Sequence, residues 1–228
     1  MPIFCLDTST RKGSMALWLD GRVESTAYDD PRSHAERLPV EALAWLDGFG
    51  ITLANLDAFA VVAGPGSFTG LRVGVATTQG WAFAAGKPVI AVPTLDAVAA
   101  DRGANGLTDV VVVPMIDGQR SEIFFSAWKN GTELLPAAAA RPAEAVASVI
   151  AAFPGQAVVA IGDALEKYSA VVDAAGWSRR DMAAPLAESA VRLAASGRYP
   201  SITPHAVRPI YVRRPDAETA KERRDRAQ

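Results

Sequence analysis

Short apolar runs bounded by turn residues alternate along this chain with longer stretches of helical spacing, which is the pattern of an α/β protein. Ile3-Phe4-Cys5-Leu6 reads as a buried strand ending at Asp7-Thr8-Ser9-Thr10. Gly13 to Leu19 and Arg22 to Tyr28 read as two further strands, joined by the hairpin signal Asp20-Gly21. After a break at Asp29 to Ser33, Leu38, Leu43, Trp45 and Leu46 mark an apolar helix face between His34 and Gly48. Ser33 and Glu36 have the spacing of a capping box for that helix. Phe59 to Ala63 reads as a buried strand, Lys87 to Val92 as another, and Thr94 to Ala100 as a short helix.

Between those strands lies Gly64-Pro65-Gly66-Ser67-Phe68-Thr69-Gly70-Leu71-Arg72-Val73-Gly74, the most distinctive stretch of the chain. The order is strand, glycine turn, helix start, the helix continuing to Gly86. Glycine permits backbone conformations that other residues avoid, Pro65 fixes its own φ, and Ser67 stands where a helix N-cap belongs. Such a turn can cradle an anion at a helix start, or it can serve only as a tight structural turn. It is not a P-loop, since no Gly-Lys-Ser/Thr follows.

Near Asp101 to Gly106 the composition turns polar, and the beginning then repeats in outline. Val110 to Ile116 reads as a strand ending at Asp117-Gly118-Gln119-Arg120, Glu122 to Trp128 as its neighbour, and Asn130-Gly131 as a hairpin turn before Thr132 to Leu135. Pro142 to Phe153 reads as a helix, Ala157 to Ile161 as a strand ending at Gly162-Asp163, and Leu165 to Ala175 and Ala187 to Gly197 as helices. Both halves therefore run strand–Asp–turn–strand–hairpin–strand–helix without any sequence repeat. This predicts two similar lobes, residues 1–103 and 104–215, followed by a charged, solvated tail at 216–228.

At 228 residues the chain is long enough for its own core without staples, and a net charge of −2 argues against a nucleic-acid coat or membrane electrostatics as its main business. Cys5 is the one cysteine, so there is no disulfide framework. The opening Met1-Pro2-Ile3-Phe4 has no basic region followed by a long apolar run, and no segment approaches a membrane span; the expectation is a cytoplasmic protein.

The candidate chemistry is thin. Asp7, Thr8, Gly64, Gly66 and Ser67 are positioned to touch a nucleotide or phosphate, yet each is also an ordinary turn residue. His34 has Leu38, not a ligand, four residues on, and His205 is distant in sequence, which excludes a two-histidine helical metal site; no metal is expected. No Gly-x-Ser-x-Gly elbow is present. On the helix after the turn, Gly70, Gly74, Thr77 or Thr78 and Trp81 recur at helical spacing. A face of small residues suits close approach by a second helix, inside the domain or in a partner.

Leu6-Asp7-Thr8-Ser9, His34-Ala35-Glu36-Arg37-Leu38-Pro39, the glycine stretch 64–72 and Pro209-Ile210-Tyr211-Val212-Arg213 resemble the bacterial TsaB (YeaZ) family. The likeness runs from about residue 3 to about residue 217. It is looser in the second half, where Met115 to Phe124 departs from the family pattern at several positions. The resemblance implies a two-lobed actin-like, sugar-kinase and Hsp70-like (ASKHA) fold with ribonuclease-H-like lobes. It implies an accessory, non-catalytic subunit in the formation of threonylcarbamoyladenosine (t6A) at position 37 of tRNA. The partners would be the catalytic paralogue TsaD and the ATPase TsaE, with a homodimer in the absence of TsaD and tRNA contacted only indirectly.

The interface would use the helices matching 34–48 and 68–85, with Leu38, Leu43, Trp45, Gly70, Leu71, Gly74, Val75, Thr78 and Trp81 as its residues. No catalytic residue and no tightly bound cofactor would be present, ATP or ADP being held at the interface with TsaD. The metal-binding histidine pair of TsaD falls on His34 and Leu38 here, and the glycoprotease (M22) label attached to such chains finds no peptidase chemistry to support it. The competing reading is an actin-like ATPase or phosphotransferase acting alone through Asp7, Thr8, Asp117 and Gly162.

Overall fold

A computed structural model describes residues 1–28, 38–104 and 106–213. His34, the Ser33–Glu36 capping box and the tail 216–228 lie outside the described residues. The first five strands are β1 (Ile3–Asp7), β2 (Gly13–Leu19), β3 (Arg22–Tyr28), β4 (Ala58–Gly64) and β5 (Val89–Pro93), in the order β5-β4-β1-β2-β3. The hairpin strands β1, β2 and β3 are antiparallel, whereas β4 and β5 join parallel to β1. The second half repeats this with β6 (Val111–Asp117), β7 (Ile123–Lys129), β8 (Thr132–Ala140), β9 (Val158–Ile161) and β10 (Ser178–Arg180), in the order β10-β9-β6-β7-β8. The echo between the halves is thus a duplication of ribonuclease-H-like topology, and the chain has the two-lobed actin-like fold.

The helices are α1 (Leu38–Asp47), α2 (Phe68–Ala85), α3 (Thr94–Ala99), α4 (Pro142–Ala152), α5 (Leu165–Ala174) and α6 (Leu186–Ala195). Strand side chains alternate, so Phe4 and Leu6 face one side of the first sheet and Ile3 and Cys5 the other. The outer side takes Leu38, Ala42 and Leu46 of α1 with Val75 and Ala82 of α2. The inner side takes Leu95 and Val98 of α3 and Ala190 and Val191 of α6, and this cluster continues into Ile116, Phe124 and Trp128 of the second sheet. Beyond that sheet, Val111, Val113 and Met115 meet Val146 and Val149 of α4 and Val172 of α5. Both faces of the central strands are covered, which is why they read as unbroken apolar runs.

The chain passes from the first sheet to the second between β5 and β6, but the residues up to 215 do not all stay with the second sheet. From α6 onward the chain returns to the first sheet. Helix α6 covers its inner face, β11 (Ser201–Ile202) pairs antiparallel with β5, and the Ile210 N–H donates to the Ala63 carbonyl (2.7 Å). The inner face needs a second helix besides the six-residue α3, and α6 supplies Leu186, Ala187, Ala190, Val191 and Ala194. Strands β10 and β11 were not expected. Ser178-Arg179-Arg180 is exposed and polar at a sheet edge, and two residues of β11 carry no periodicity.

Candidate functional site

The loops after β1 and β4 meet at the C-terminal ends of these central, parallel strands of the first sheet. Asp7 is fully buried, and its carboxylate accepts from the Ser9 N–H (2.8 Å), Ser9 Oγ (2.6 Å) and Ser14 Oγ (3.2 Å). Ser14 Oγ in turn accepts from the Ala187 N–H in the first turn of α6 (3.0 Å). Loss of water pushes the Asp7 carboxyl up to about 6, the three hydrogen bonds opposing that rise. Thr8 donates its hydroxyl to the Gly70 carbonyl (2.7 Å), and the Ser9 carbonyl accepts from the Ser67 N–H (2.7 Å).

This contact explains the glycines. A Cβ on Gly66 would overlap the Ser9 carbonyl, one on Gly70 the Thr8 carbonyl, and one on Gly74 Thr8 Oγ1, all closer than the 3.0 Å that real Cβ atoms respect. Gly64, at φ 120°, meets the Ile210 carbonyl in the same way. Ser67 caps α2, its Oγ accepting from the Gly70 N–H (3.2 Å). The glycine turn therefore clasps the β1 turn. Asp7, Thr8 and Gly64 are enclosed rather than open to a phosphate, and only Gly66 and Ser67 of the expected nucleotide contacts line an open space.

The second lobe ends its first strand alike. Asp117 Oδ1 accepts from the Gln119 N–H (3.0 Å), as Asp7 does from Ser9, and a Cβ on Gly162 would overlap the Met115 carbonyl. The Asp117 N–H donates to Asp163 Oδ1 (2.9 Å), and burial pushes the Asp163 carboxyl up to about 6. The loop then differs. Gln119, Arg120 and Ser121 all take left-handed φ values (58°, 52° and 64°), an arrangement L-residues adopt only when their surroundings hold it. The Glu122 N–H to the Gln119 carbonyl and the Gly118 N–H to the Glu122 carbonyl (both 3.0 Å) close this turn.

Between the lobes lies a cavity of about 350 Å³, walled by Pro65 to Phe68 on one side and Asp117 to Arg120 with Phe124 on the other. Residues Ile210 to Arg213 run across it, and Arg213 Nη1 holds Glu122 Oε2 (2.6 Å). Lys167 Nζ lies 3.8 Å from Asp117, and Lys12 Nζ reaches Glu166 of the other lobe at 3.5 Å. Among the described residues no group of three or more His, Cys, Asp or Glu is arranged to hold a metal, and no helix is long and apolar enough to cross a membrane.

The expected interface residues divide by helical phase. Leu38, Gly70, Leu71, Gly74, Val75 and Thr78 are buried within their own lobe, so they do not form an outward face. The small-residue stripe 70–74–78 is the packing side of α2: the Thr8 carbonyl lies against Gly70 and Thr8 Oγ1 against Gly74, too close for anything larger, and Thr78 is buried with them. Trp45 and Trp81 are half-buried against Phe4, at ring-centroid distances of 6.3 and 5.9 Å. Of the nine, only Leu43 is well exposed. The outward face of the two helices is made instead by Val40, Leu43, Val73, Ala76, Thr77, Gly80, Phe83 and Ala84. Phe83 is 80% exposed and Val40 69%, and a Cβ on Gly80 would meet nothing within 4 Å. Val40, Gly80 and Phe83 were legible only in part, since α2 carries two stripes of small residues and spacing alone does not say which is inside.

A family model described as TsaD, tRNA N6-adenosine threonylcarbamoyltransferase, matches residues 29–218. The tRNA threonylcarbamoyladenosine biosynthesis protein TsaB of Escherichia coli is 37% identical over 133 residues, 57% of this chain. The match spans 56% of that protein's length. A crystal structure from Pseudomonas aeruginosa, of a protein described as similar to peptidase YeaZ, superposes with a TM-score of 0.77 at 28% identity, covering 93% of this chain and 99% of the other. YeaZ from Pseudomonas aeruginosa gives 0.71 at 27% identity, over 92% and 100% of the two chains. The chain belongs to the family of that model and, within it, to the TsaB (YeaZ) group.

Proposed function

We propose that this chain is an accessory subunit in the formation of threonylcarbamoyladenosine in tRNA, and that it works by docking on the catalytic subunit TsaD. The observation that carries this reading is the outward face of α1 and α2. Val40, Leu43 and Phe83 stand in water on these helices, and no neighbour requires a glycine at Gly80 inside α2. Glycine inside a helix costs about 0.5–1 kcal/mol relative to alanine, so a bare Gly80 is best accounted for by a partner helix that comes close. The names carried by its relatives supply the pathway, and the surface supplies a place for contact. In this reading the same face pairs two copies of the chain when TsaD is absent. TsaE joins the complex, ATP or ADP sits at the shared surface, and tRNA is held by the partner.

The alternative, an ATPase acting alone, has less support. It needs Asp7, Thr8 and Asp117 at an open phosphate site. Asp7 and Thr8 are sealed under the glycine turn, and the Asp117 carboxylate is engaged by its own turn and by Lys167.

Light scattering after size exclusion tests the docking reading on the wild type and on Gly80→Arg, alone and with TsaD from the same organism. The expected result is a dimer that exchanges for a complex with TsaD, and a folded variant that forms neither. A wild type that stays monomeric and ignores TsaD refutes the reading, as does a Gly80→Arg variant that assembles normally.

A further inference from the structure

Val207 is buried in the outer cluster of the first lobe, and beyond it the chain runs on across the mouth of the interlobe cleft. Each step of that crossing is held. Gln79 Nε2 of α2 donates to the Pro204 and Val207 carbonyls (2.9 and 3.2 Å), and the Ile210 N–H donates to the Ala63 carbonyl (2.7 Å). Gly64 leaves room for this approach, since a Cβ there would overlap the Ile210 carbonyl. Tyr211 is 41% exposed, so burial does not fix it; its ring lies 5.3 Å from that of Phe68 and its hydroxyl accepts from Arg72 Nε (3.3 Å). Val212 then packs on the inner cluster that holds Ile116 and Phe124 of the second sheet. Arg213 completes the crossing, its guanidinium 5.9 Å from the Phe124 ring and Nη1 2.6 Å from Glu122 Oε2. Glu122 is the residue that closes the left-handed turn, through its own N–H to Gln119 and its carbonyl to Gly118.

Two packed lobes move against each other unless their contact is extensive or fastened. The floor of this contact is apolar, Leu95, Val98, Ala190 and Val191 meeting Ile116, Phe124 and Trp128. Two ion pairs at the rim differ in kind. Lys12 and Glu166 are 3.5 Å apart with side chains 62% and 69% exposed, and such a pair contributes little. Arg213 and Glu122 are 2.6 Å apart and only 33% and 36% exposed, which is a short, charge-assisted bond of the strong class. We propose that residues 204–213 are a strap that latches the second lobe to the first, with Arg213–Glu122 as its clasp. With the clasp shut, the second lobe is held in one orientation on the apolar floor and the turn 118–122 is pinned. With the clasp open, residues 208–213 come away and the lobes rock about the floor. The clasp is on the second lobe, so the latch stands apart from the docking reading at Gly80 and Phe83 of α2.

The test measures lobe motion directly on the full chain. Spin labels are placed through Glu24→Cys on the first lobe and Ala151→Cys on the second, both exposed, while Cys5 is buried and takes no label. The labelled protein is diluted with an excess of unlabelled chain, so that only distances within one molecule are read. The wild type should give one narrow distance distribution. Arg213→Gln and Glu122→Lys should each broaden it and speed hydrogen exchange at the Ile210 amide by about tenfold, the loss expected for one charge-assisted bond. The exchanged pair, Arg213→Glu with Glu122→Lys, should restore both the narrow distribution and the slow exchange. Added salt should mimic the single variants in the wild type and change the Arg213→Gln protein little. A wild type that is already broad overturns the proposal, as do single variants that leave the distribution narrow. Faster exchange at Ile210 without broadening also overturns it, because the strap would then fray locally and hold nothing. A folded exchanged pair that stays as broad as the single variants refutes the clasp.

Discussion

Gly74→Ala and Gly80→Ala make the same chemical change on one helix and should act with opposite signs. At Gly80 a Cβ meets nothing within 4 Å, so the monomer should gain the ordinary helical preference for alanine, about 0.5–1 kcal/mol. At Gly74 the new Cβ overlaps Thr8 Oγ1, with Thr8 Cβ at 3.5 Å and Cγ2 at 3.7 Å behind it. Thr8 is buried on all sides and its hydroxyl is committed to the Gly70 carbonyl at 2.7 Å, so it cannot turn away without leaving that bond. Overpacking of this kind costs about 1–3 kcal/mol and a buried polar group left unpaired about 1–3 more. Set against the same helical gain, Gly74→Ala should destabilise by roughly 1–5 kcal/mol.

Urea unfolding of the two variants, read at low concentration where the chain is monomeric, measures both shifts at constant slope. Thr8→Ala provides the internal control. If the collision is with the hydroxyl, Gly74→Ala should cost clearly less in the Thr8→Ala background, a coupling a double-mutant cycle resolves. A neutral Gly74→Ala, or an equal cost in both backgrounds, would refute the packing of the β1 turn on α2. A destabilising Gly80→Ala would mean that the outward stripe is covered within the monomer.

Two further outcomes follow from the buried polar groups. Asp7 titrates near 6 when folded against a usual 3.8, so folding favours its protonated form. The stability it contributes is complete below about pH 4 and lost as the pH rises through about 6, a span worth about 3 kcal/mol. Asp7→Asn, which keeps an acceptor for Ser9, should lack that fall, so the difference between the two stability curves should change from pH 4 to 7; a difference that does not change with pH sinks the assignment. Thr78 Oγ1 is buried without a hydrogen-bond partner among the described residues, so the near-isosteric Thr78→Val should raise stability by about 1 kcal/mol in thermal or urea unfolding. Destabilisation by Val would show that the hydroxyl is paired.

The central strands and the duplication could be read from the chain because their signals are local. Apolar runs, an Asp at the strand end and Asp-Gly or Asn-Gly turns recur in the same order in both halves. The return of residues 186–213 to the first lobe could not be read, since nothing in α6 says which sheet its apolar face will cover. The edge strand β10 was hidden because an exposed strand of Ser and Arg has no alternation to find. The site shows the same limit more sharply. The sequence marked Gly70 and Gly74 as a face for close approach, which they are, but what approaches is the carbonyl and the side chain of Thr8 in the same lobe. Phase along α2 is set by which stripe touches the sheet, and Gly70, Gly74 and Thr78 compete for that place with Val73, Thr77 and Gly80 on nearly equal terms of size.

The two lobes use their strand-end loops differently, and this bears on how a family can keep a fold while moving its working surfaces. In each lobe an Asp binds the N–H two residues on, and a glycine lets a neighbouring turn press on the first strand. In the first lobe the clasp is complete, with Ser67 joined to Ser9 and Thr8 to Gly70, so the carboxylate is shut away and its high pKa is the consequence. In the second lobe the corresponding loop carries three left-handed residues and lines the cleft. A sequence as distinctive as Gly64 to Gly70 is therefore explained by packing. Each glycine is fixed by a carbonyl or hydroxyl that lies against it, and no reacting group is needed to account for the pattern. What packing leaves over for the proposed docking is the outward side of α1 and α2.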